Sequence, residues 1–243
     1  MAVKRMRVFA GPNGSGKTTI FKGMLAKKEI QLGVYVNADD IEIQLSKDKA
    51  ISFNEYNLSI EDKELKDFFR NSKFSPVKRK EDNLWEKLTV EKNELHVDTK
   101  IDSYLAADLA EFIRQQLFNQ GVSFTYETVM SHESKVKFMQ EALKKGYRVY
   151  LYFIATEDPE INVNRVNLRV IQQGHAVDPD TIKARYNRSL SLLKSAVLQT
   201  SRAYIFDNSG EQAKLIAEIT DGVDVRLNDA IKVPNWVAVS LLK

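Results

Sequence analysis

Short apolar runs alternate with segments of helical spacing along most of this chain. Met6–Ala10 has the pattern of a short buried strand, and Tyr147–Ala155 is the clearest strand pattern in the sequence. Between them, apolar residues recur three or four positions apart in the segment from Asp102 to Leu117, which is typical of a helix. Strands that alternate with helices predict an α/β fold, with a parallel sheet covered by helices on both faces.

The same reading predicts further elements along the chain. Strands are expected at Val34–Asn37, Val122–Val129 and Arg202–Phe206. Helices are expected at Thr18–Lys28, after Ser131, between Asp158 and Gly174, from Asp178 to Val197, and at Glu211–Ile219. The tail from about Asp221 has no pattern that assigns it.

Residues 46–100 differ in character from the rest of the chain. They are charged, their apolar positions are sparse, and Ser75-Pro76 interrupts them. We predict an insertion of short helices and loops outside the central sheet. Its run Lys78-Arg79-Lys80 is interpreted as a solvated surface rather than a nucleic-acid site. The whole chain, residues 1–243, is then expected to form one domain with this insertion.

The most informative motif follows the first predicted strand. Residues 11–18 fit the phosphate-binding loop (P-loop) pattern G-x-x-x-x-G-K-[ST] at each fixed position. We expect the loop and the next residue to bind ATP through Gly11, Pro12, Asn13, Gly14, Ser15, Gly16, Lys17, Thr18 and Thr19. Lys17 would reach the β- and γ-phosphates, and Thr18 would bind Mg²⁺ through its hydroxyl.

Composition removes several other classes of protein. The chain has 243 residues, 43% of them hydrophobic, which suffices for one sizeable core. It has no cysteine, so disulfides, thiolate catalysis and cysteine zinc sites are excluded, and its three histidines lack metal-ligand spacing. No apolar run suggests a membrane span or a signal peptide, so a cytoplasmic location is expected. The formal charge of +3 is too small to indicate nucleic-acid binding.

Polar residues at predicted strand ends supply candidate chemistry, because ligands of parallel α/β sheets bind there. Asp39 follows the second strand and can accept the proton of an attacking hydroxyl, whereas Asp40 suits the N-cap of a helix that starts at Ile41. Glu127 and Thr128 end a later strand and can hydrogen-bond an acceptor's hydroxyls.

Arginines flank a predicted turn at Gln173-Gly174-His175, in a helix pair at about 158–199. Positive charge on such a pair can close over ATP as a lid and stabilise the transition state. We expect this role for Arg169 and Arg185 and place Arg165 near the acceptor. Asn208, in the segment Asp207-Asn208-Ser209, ends a strand and either contacts the nucleotide or forms a turn.

With these residues together, the chain resembles the zeta toxin family. It is more similar to the zeta-toxin-like bacterial ATPases or kinases than to the toxins themselves. The P-loop alone is common to many NTPases, but other segments are more specific. They are Val-Asn-Ala-Asp-Asp-Ile (36–41), Ser-Phe-Thr-Tyr-Glu-Thr-Val-Met-Ser (123–131), Arg-Val-Ile-Gln-Gln-Gly-His-Ala-Val (169–177) and Arg-Tyr-Asn-Arg-Ser-Leu (185–190).

The resemblance implies a P-loop kinase that phosphorylates UDP-N-acetylglucosamine at its 3′-hydroxyl with ATP. Asp39 would be the general base, and Lys17 and Thr18 the phosphate and Mg²⁺ groups. Glu127 and Thr128 would line the acceptor site. An antitoxin protein would be a possible partner.

Two other functions stay open at this point. A polynucleotide kinase would share the P-loop, the early aspartate and the lid arginines, but would also need a basic groove with stacking aromatics. A regulatory ATP-binding component of a toxin–antitoxin pair would need no acceptor at all.

Overall fold

A computed structural model of the chain describes residues 3–28, 32–171 and 177–242. The strands, numbered in chain order, are β1 (Arg5–Ala10), β2 (Val34–Val36), β3 (Ala50–Ser52), β4 (Leu88–Glu91), β5 (Glu94–Val97), β6 (Phe124–Thr128), β7 (Arg148–Ala155), β8 (Arg202–Asp207), β9 (Lys214–Thr220) and β10 (Asp224–Leu227).

The α-helices are α1 (Lys17–Ala26), α2 (Ala38–Asp48), α3 (Asp62–Asn71), α4 (Ser75–Arg79), α5 (Ser103–Asn119), α6 (Glu133–Lys144), α7 (Pro159–Ile171), α8 (Pro179–Ser191), α9 (Leu193–Val197) and α10 (Asn235–Val237). The chain divides into two compact units. The first contains residues 1–32 and 125–243, and the second contains residues 33–124. The expected single domain, with an insertion at about 46–100 and a lid at about 158–199, stays a prediction.

A sheet forms the centre of the first unit. Its strands run in the order β10-β9-β8-β7-β1-β6. The β1–β7 and β7–β8 pairs are parallel, whereas β8–β9 and β9–β10 are antiparallel. Of these five strands only β9 runs against the others, so the predicted α/β class with a mostly parallel central sheet is confirmed.

Stacked aromatic rings fix the middle of this sheet. Phe9 of β1 stacks on Tyr152 of β7, with ring centroids 4.4 Å apart, and Tyr152 stacks in turn on Tyr204 of β8 at 5.0 Å. Phe21 of α1 meets Phe9 edge to face at 5.1 Å. Such contacts add to the free energy of burial and hold the helix that follows the P-loop against β1.

The helix predicted at Glu211–Ile219 is wrong. Lys214–Thr220 is β9, and it joins β10 through Asp221 and Gly222 at φ of 51° and 75°. Asp-Gly with two positive φ angles is a favoured hairpin turn, and it pairs the unassigned tail with β9. The apolar residues of Leu-Ile-Ala-Glu-Ile-Thr fit a strand as well as a short helix. The Asp221-Gly222 turn, which joins this segment to β10, favours the strand.

The second unit contains an antiparallel sheet that the sequence did not predict. Its strand order is β3-β5-β4, within the stretch expected to form only helices and loops. Lys92 and Asn93 join β4 to β5 with positive φ angles of 49° and 64°. Lys-Asn lacks the Asn-Gly or Asp-Gly signature of such turns, which explains why the hairpin escaped detection.

Arg79 corrects the interpretation of Lys78-Arg79-Lys80 as wholly solvated. Its guanidinium is buried and pairs with Glu81 at 2.7 Å and with Asp102 at 2.8 Å. It also donates to the carbonyl oxygen of Lys100 at 2.8 Å. Lys78 and Lys80 are exposed, as expected. Arg79 therefore cross-links the loops of the second unit.

A buried carboxylate, Asp108 of α5, organises the start of α4. Its Oδ2 accepts hydrogen bonds from the hydroxyls of Ser72 and Ser75, both at 2.6 Å, and from the Ser75 backbone N–H at 3.0 Å. Asp108 is 6% exposed. Buried carboxylates persist in proteins when hydrogen bonds satisfy them in this way.

No helix among the described residues combines the length and the apolar character needed to cross a membrane.

Replacing Asp108 should destabilise the fold, because its hydrogen-bond donors on Ser72 and Ser75 would lose their acceptor. We expect Asp108→Ala to lower the free energy of unfolding by about 2–4 kcal/mol, because two hydroxyls and one N–H lose a charged acceptor. Asp67→Ala is the matched control, since this carboxylate is 48% exposed and its one ion pair within the described part of the chain is with Arg70, three residues on. The control should change stability by less than about 0.5 kcal/mol in urea unfolding. Equal effects of both variants would contradict this assignment.

Candidate nucleotide-binding site

Three glycines give the P-loop its path between β1 and α1. Gly11, Gly14 and Gly16 have φ angles of 141°, 75° and 90°, where other residues are strained. A Cβ at Gly14 would lie 2.5 Å from the carbonyl oxygen of Asn162, and one at Gly16 would collide with the Asn208 side chain. Gly16 is also the N-cap of α1, so the positive end of this helix faces the loop.

Lys17, the first residue of α1, folds its side chain back over the loop. Its Nζ donates hydrogen bonds to the carbonyl oxygens of Gly11 and Pro12, each at 2.9 Å. The ammonium group is thus held over the glycine-rich turn. Phosphate oxygens are stronger acceptors than these carbonyls, so the same group can transfer its bonds to an anion in the loop.

Thr18 is paired with a carboxylate from β6. Its hydroxyl donates to Glu127 Oε2 at 2.9 Å. The next residue of β6, Thr128, accepts a hydrogen bond from the backbone N–H of Gly11 at 3.2 Å. The carboxyl ends of β1 and β6 therefore meet, and the structure brings Glu127 and Thr128 to the P-loop.

The donor set at this point suits Mg²⁺. A hydroxyl and a carboxylate are hard oxygen ligands, and Mg²⁺ in phosphate sites takes only one or two protein ligands besides phosphate and water. Thr18 and Glu127 supply such a pair. The described residues contain no cluster of three or more acidic or histidine side chains that could hold a metal by itself.

Asn162 of α7 is a site residue that the sequence reasoning missed. It is fully buried, and its Nδ2 donates to the carbonyl oxygen of Asn13 in the P-loop at 2.6 Å. Its Oδ1 accepts from the Thr156 hydroxyl. A polar residue that aligns with the apolar positions Val163 and Val166 is the signal that could have revealed it.

Tyr186 of α8 extends this chain of contacts. Its hydroxyl donates to the carbonyl oxygen of Thr156 at 2.6 Å. Burial raises the pKa of Tyr186 to about 12, so the hydroxyl keeps its proton at neutral pH. A continuous path therefore runs from α8 through Thr156 and Asn162 to the P-loop.

Asn208 contacts the P-loop from the other side. Its Nδ2 donates to the carbonyl oxygen of Ser15 at 2.8 Å, and its own carbonyl accepts from Arg165 at 2.8 Å. Its neighbour Asp207 accepts from Ser209 and from the Trp236 indole at 2.8 Å, which makes this segment a turn. The predicted roles of Asn208 toward the nucleotide and of Arg165 toward the acceptor stay predictions.

Asp39 belongs to the second unit. It lies exposed in the first turn of α2, where its backbone N–H donates to Asn37 Oδ1 at 2.9 Å. Asn37 is the N-cap of this helix, which starts at Ala38 rather than Ile41. Asp40 is therefore not the N-cap, because it lies inside the helix and the Asn37 side chain already accepts the hydrogen bond of the first-turn N–H of Asp39.

The two predicted lid arginines lie on α7 and α8. Arg169 is exposed near the end of α7, and Arg185 is half-buried in the middle of α8. The helices pack through Val163, Val166 and Ile182. The predicted turn Gln173-Gly174-His175 lies outside the described residues. Thr19, predicted to contact the nucleotide, is exposed in the first turn of α1.

The strand, glycine-rich loop and helix, with a carboxylate beside Thr18, define a P-loop NTPase fold. The sequence model of the zeta toxin family matches residues 96–218, just over half of the 243 residues. The chain belongs to the zeta toxin family. The match begins at residue 96, beyond the P-loop at residues 11–18. The P-loop motif and the family match are therefore independent observations.

Individual proteins are similar to this chain in sequence or in fold. A Haemophilus influenzae protein of uncharacterised function is 34% identical over 67 residues, 28% of this chain and 48% of its own length. The crystal structure of AvrRxo1-ORF1:-ORF2 with ATP matches with a TM-score of 0.54 and 12% identity, over 94% of this chain and 62% of the other. The chain thus spans about half the length of the first relative and under two thirds of the second.

A third comparison is with the PezAT toxin–antitoxin system of Streptococcus pneumoniae. It has a TM-score of 0.53 and 15% identity, over 100% of this chain and 80% of the other. At these identities the solved structures establish the fold alone.

Asn162→Ala should weaken nucleotide binding through the shape of the P-loop. The variant leaves the Asn13 carbonyl without its buried donor, at a cost of about 1–3 kcal/mol, whereas the Thr156 hydroxyl keeps the carbonyl oxygen of Asp158 as an acceptor. We expect a lower unfolding temperature and a smaller rise of that temperature on adding Mg·ATP. Asn167→Ala, at an exposed position of the same helix, should leave both values unchanged. An unchanged nucleotide-induced rise in Asn162→Ala would contradict the positioning role.

Proposed function

We propose that this protein is an ATP-dependent phosphotransferase that moves the γ-phosphate of Mg·ATP to a hydroxyl of a small molecule. The observation that carries the proposal is the grouping of Lys17, Thr18 and Glu127 around the P-loop. Phosphoryl transfer needs positioning and charge stabilisation more than covalent help, and this grouping supplies both.

Each residue has a distinct task in this proposal. Lys17 exchanges its two loop carbonyls for the β- and γ-phosphate oxygens, and the backbone N–H groups of the loop hold the remaining charge. Thr18 and Glu127 would hold Mg²⁺, which neutralises charge on the phosphates when bound. Glu127 then serves the metal, a second role beside the acceptor contact expected from the sequence.

Asp39 is proposed as the general base toward the acceptor hydroxyl. It is exposed to solvent, follows β2 directly and lies in the first turn of α2, the place expected for a base at the end of a strand. Arg169 and Arg185 are proposed to add positive charge to the transferred phosphate as the α7–α8 pair closes. Arg185 is half-buried on α8, whose Ile182 packs against α7, so its charge belongs to the helix pair proposed to close.

The acceptor is proposed to be a nucleotide sugar, with UDP-N-acetylglucosamine first among the candidates. This choice rests on membership of the zeta toxin family. Nucleic acid is a weaker candidate, because Arg79, the centre of the basic run, is buried in ion pairs with Glu81 and Asp102.

Mass spectrometry of reactions with Mg·ATP tests the activity. The acceptors would be a panel of nucleotide sugars, nucleosides and 5′-hydroxyl oligonucleotides. We expect one nucleotide sugar to gain one phosphate, and Lys17→Ala to lower the rate by about 10³-fold or more through lost charge stabilisation. Asp39→Asn should lower it by about 10²–10⁴-fold through loss of the base.

Matched controls separate these effects from changes in folding. Lys22→Ala on α1 and Asp48→Asn on α2 alter exposed residues of the same helices and should keep full activity. Transfer that survives in Asp39→Asn would contradict the assignment of the base. Bound ATP with every acceptor left unmodified would contradict the phosphotransferase.

A second proposal concerns the partner. The PezAT comparison is to a toxin–antitoxin system, which supports an antitoxin as the partner of this chain. We expect growth arrest when the intact protein is expressed alone in bacteria, and normal growth with Lys17→Ala at equal protein levels. Unimpaired growth with the intact protein would contradict the toxin role.

A further inference from the structure

The outer edge of β10 is an interaction surface. Strand β10 ends the sheet order of the first unit, and no other described strand pairs with its far side. All four of its residues are exposed. Unpaired edges are usually blocked or covered, because they offer a row of free N–H and C=O groups to other strands.

The register against β9 identifies which groups face this edge. The Asn228 N–H donates to the carbonyl oxygen of Ile216 on β9 at 2.9 Å, so Asn228 and Ile216 form a hydrogen-bonded pair of the antiparallel ladder. Hydrogen-bonding pairs alternate along an antiparallel ladder, which makes Arg226 and Asp224 the next two residues that bond to β9. Val225 and Leu227 therefore direct their backbone groups outward.

The side chains of this segment are complementary to themselves. Val225 and Leu227 of β10 share one face and are 39% and 40% exposed, and Val223, in the turn before the strand, is 73% exposed. Asp224 and Arg226, of opposite charge, share the other face. If a second β10 runs antiparallel with Val225 opposite Val225, then Asp224 meets Arg226 of the other copy twice, and the two apolar Val225 side chains lie side by side.

We propose that β10 pairs with β10 of a second copy of this chain and forms a symmetric dimer with one continuous sheet. The two-fold axis passes between the Val225 residues, which exchange both of their outward hydrogen bonds. Protective edges carry like charges, which would repel a second copy, whereas one acid and one base two residues apart attract it. This inference does not depend on the proposed phosphotransferase activity.

Sedimentation velocity over a concentration series tests the dimer. The unmodified protein should shift from monomer to dimer as its concentration rises. Val225→Pro should keep it monomeric, because proline removes an N–H that faces outward and leaves the bonds to β9 intact. Circular dichroism and the unfolding temperature of this variant should match those of the unmodified protein.

Charge exchange gives a second test that does not depend on proline. Asp224→Arg alone, and Arg226→Asp alone, make both symmetric pairs repulsive and should raise the dimer dissociation constant by about tenfold. The double variant Asp224→Arg/Arg226→Asp restores opposite charges and should return the constant to within about threefold of the original. Asp229→Arg, an equal charge change just beyond the strand, is the control and should have no effect.

Several results would overturn the proposal. A protein that stays monomeric at its highest soluble concentration excludes the dimer. A dimer that persists in Val225→Pro uses another surface. Failure of the double variant to restore dimerisation contradicts the register, and binding of a strand from a different protein by an otherwise monomeric chain assigns the edge to another partner.

Discussion

The path of the P-loop is the constraint on which the rest of the candidate site depends. A loop with three positive-φ glycines can adopt many conformations in isolation. In this structure, hydrogen bonds from three sides hold it in one conformation. Thr128 accepts from its first N–H, while Asn162 and Asn208 donate to the carbonyls of Asn13 and Ser15. The side chains that would meet phosphate and Mg²⁺ are therefore positioned before any ligand arrives, which lowers the cost of binding.

The same contacts connect the loop to the predicted lid. Tyr186 on α8 holds the Thr156 carbonyl, the Thr156 hydroxyl holds Asn162, and Asn162 holds the loop. A change in the α7–α8 pair would reach the P-loop through only three side chains. This provides a physical route by which closure over ATP and the shape of the phosphate site can depend on each other.

Much of the fold followed from the sequence because the signals were local. The P-loop, β1, β7 and the α7 and α8 starts at proline all have short-range signatures. The sequence-based predictions failed where the structure depends on pairing or packing between separate segments of the chain. The β9–β10 and β4–β5 hairpins depend on turns and on strand partners, and Asn162 lies among apolar positions that hide its role. Glu127 and Thr18 were both predicted as site residues, but their contact with each other was not, since 109 residues separate them.

Calorimetric titration of the unmodified protein with ATP tests whether the P-loop is a working Mg·ATP site. We expect saturable binding of one ATP per chain, tighter with Mg²⁺ than with a chelator, because Thr18 and Glu127 contribute only when the metal is present. Absence of saturable binding, or an affinity that Mg²⁺ leaves unchanged, would contradict this expectation.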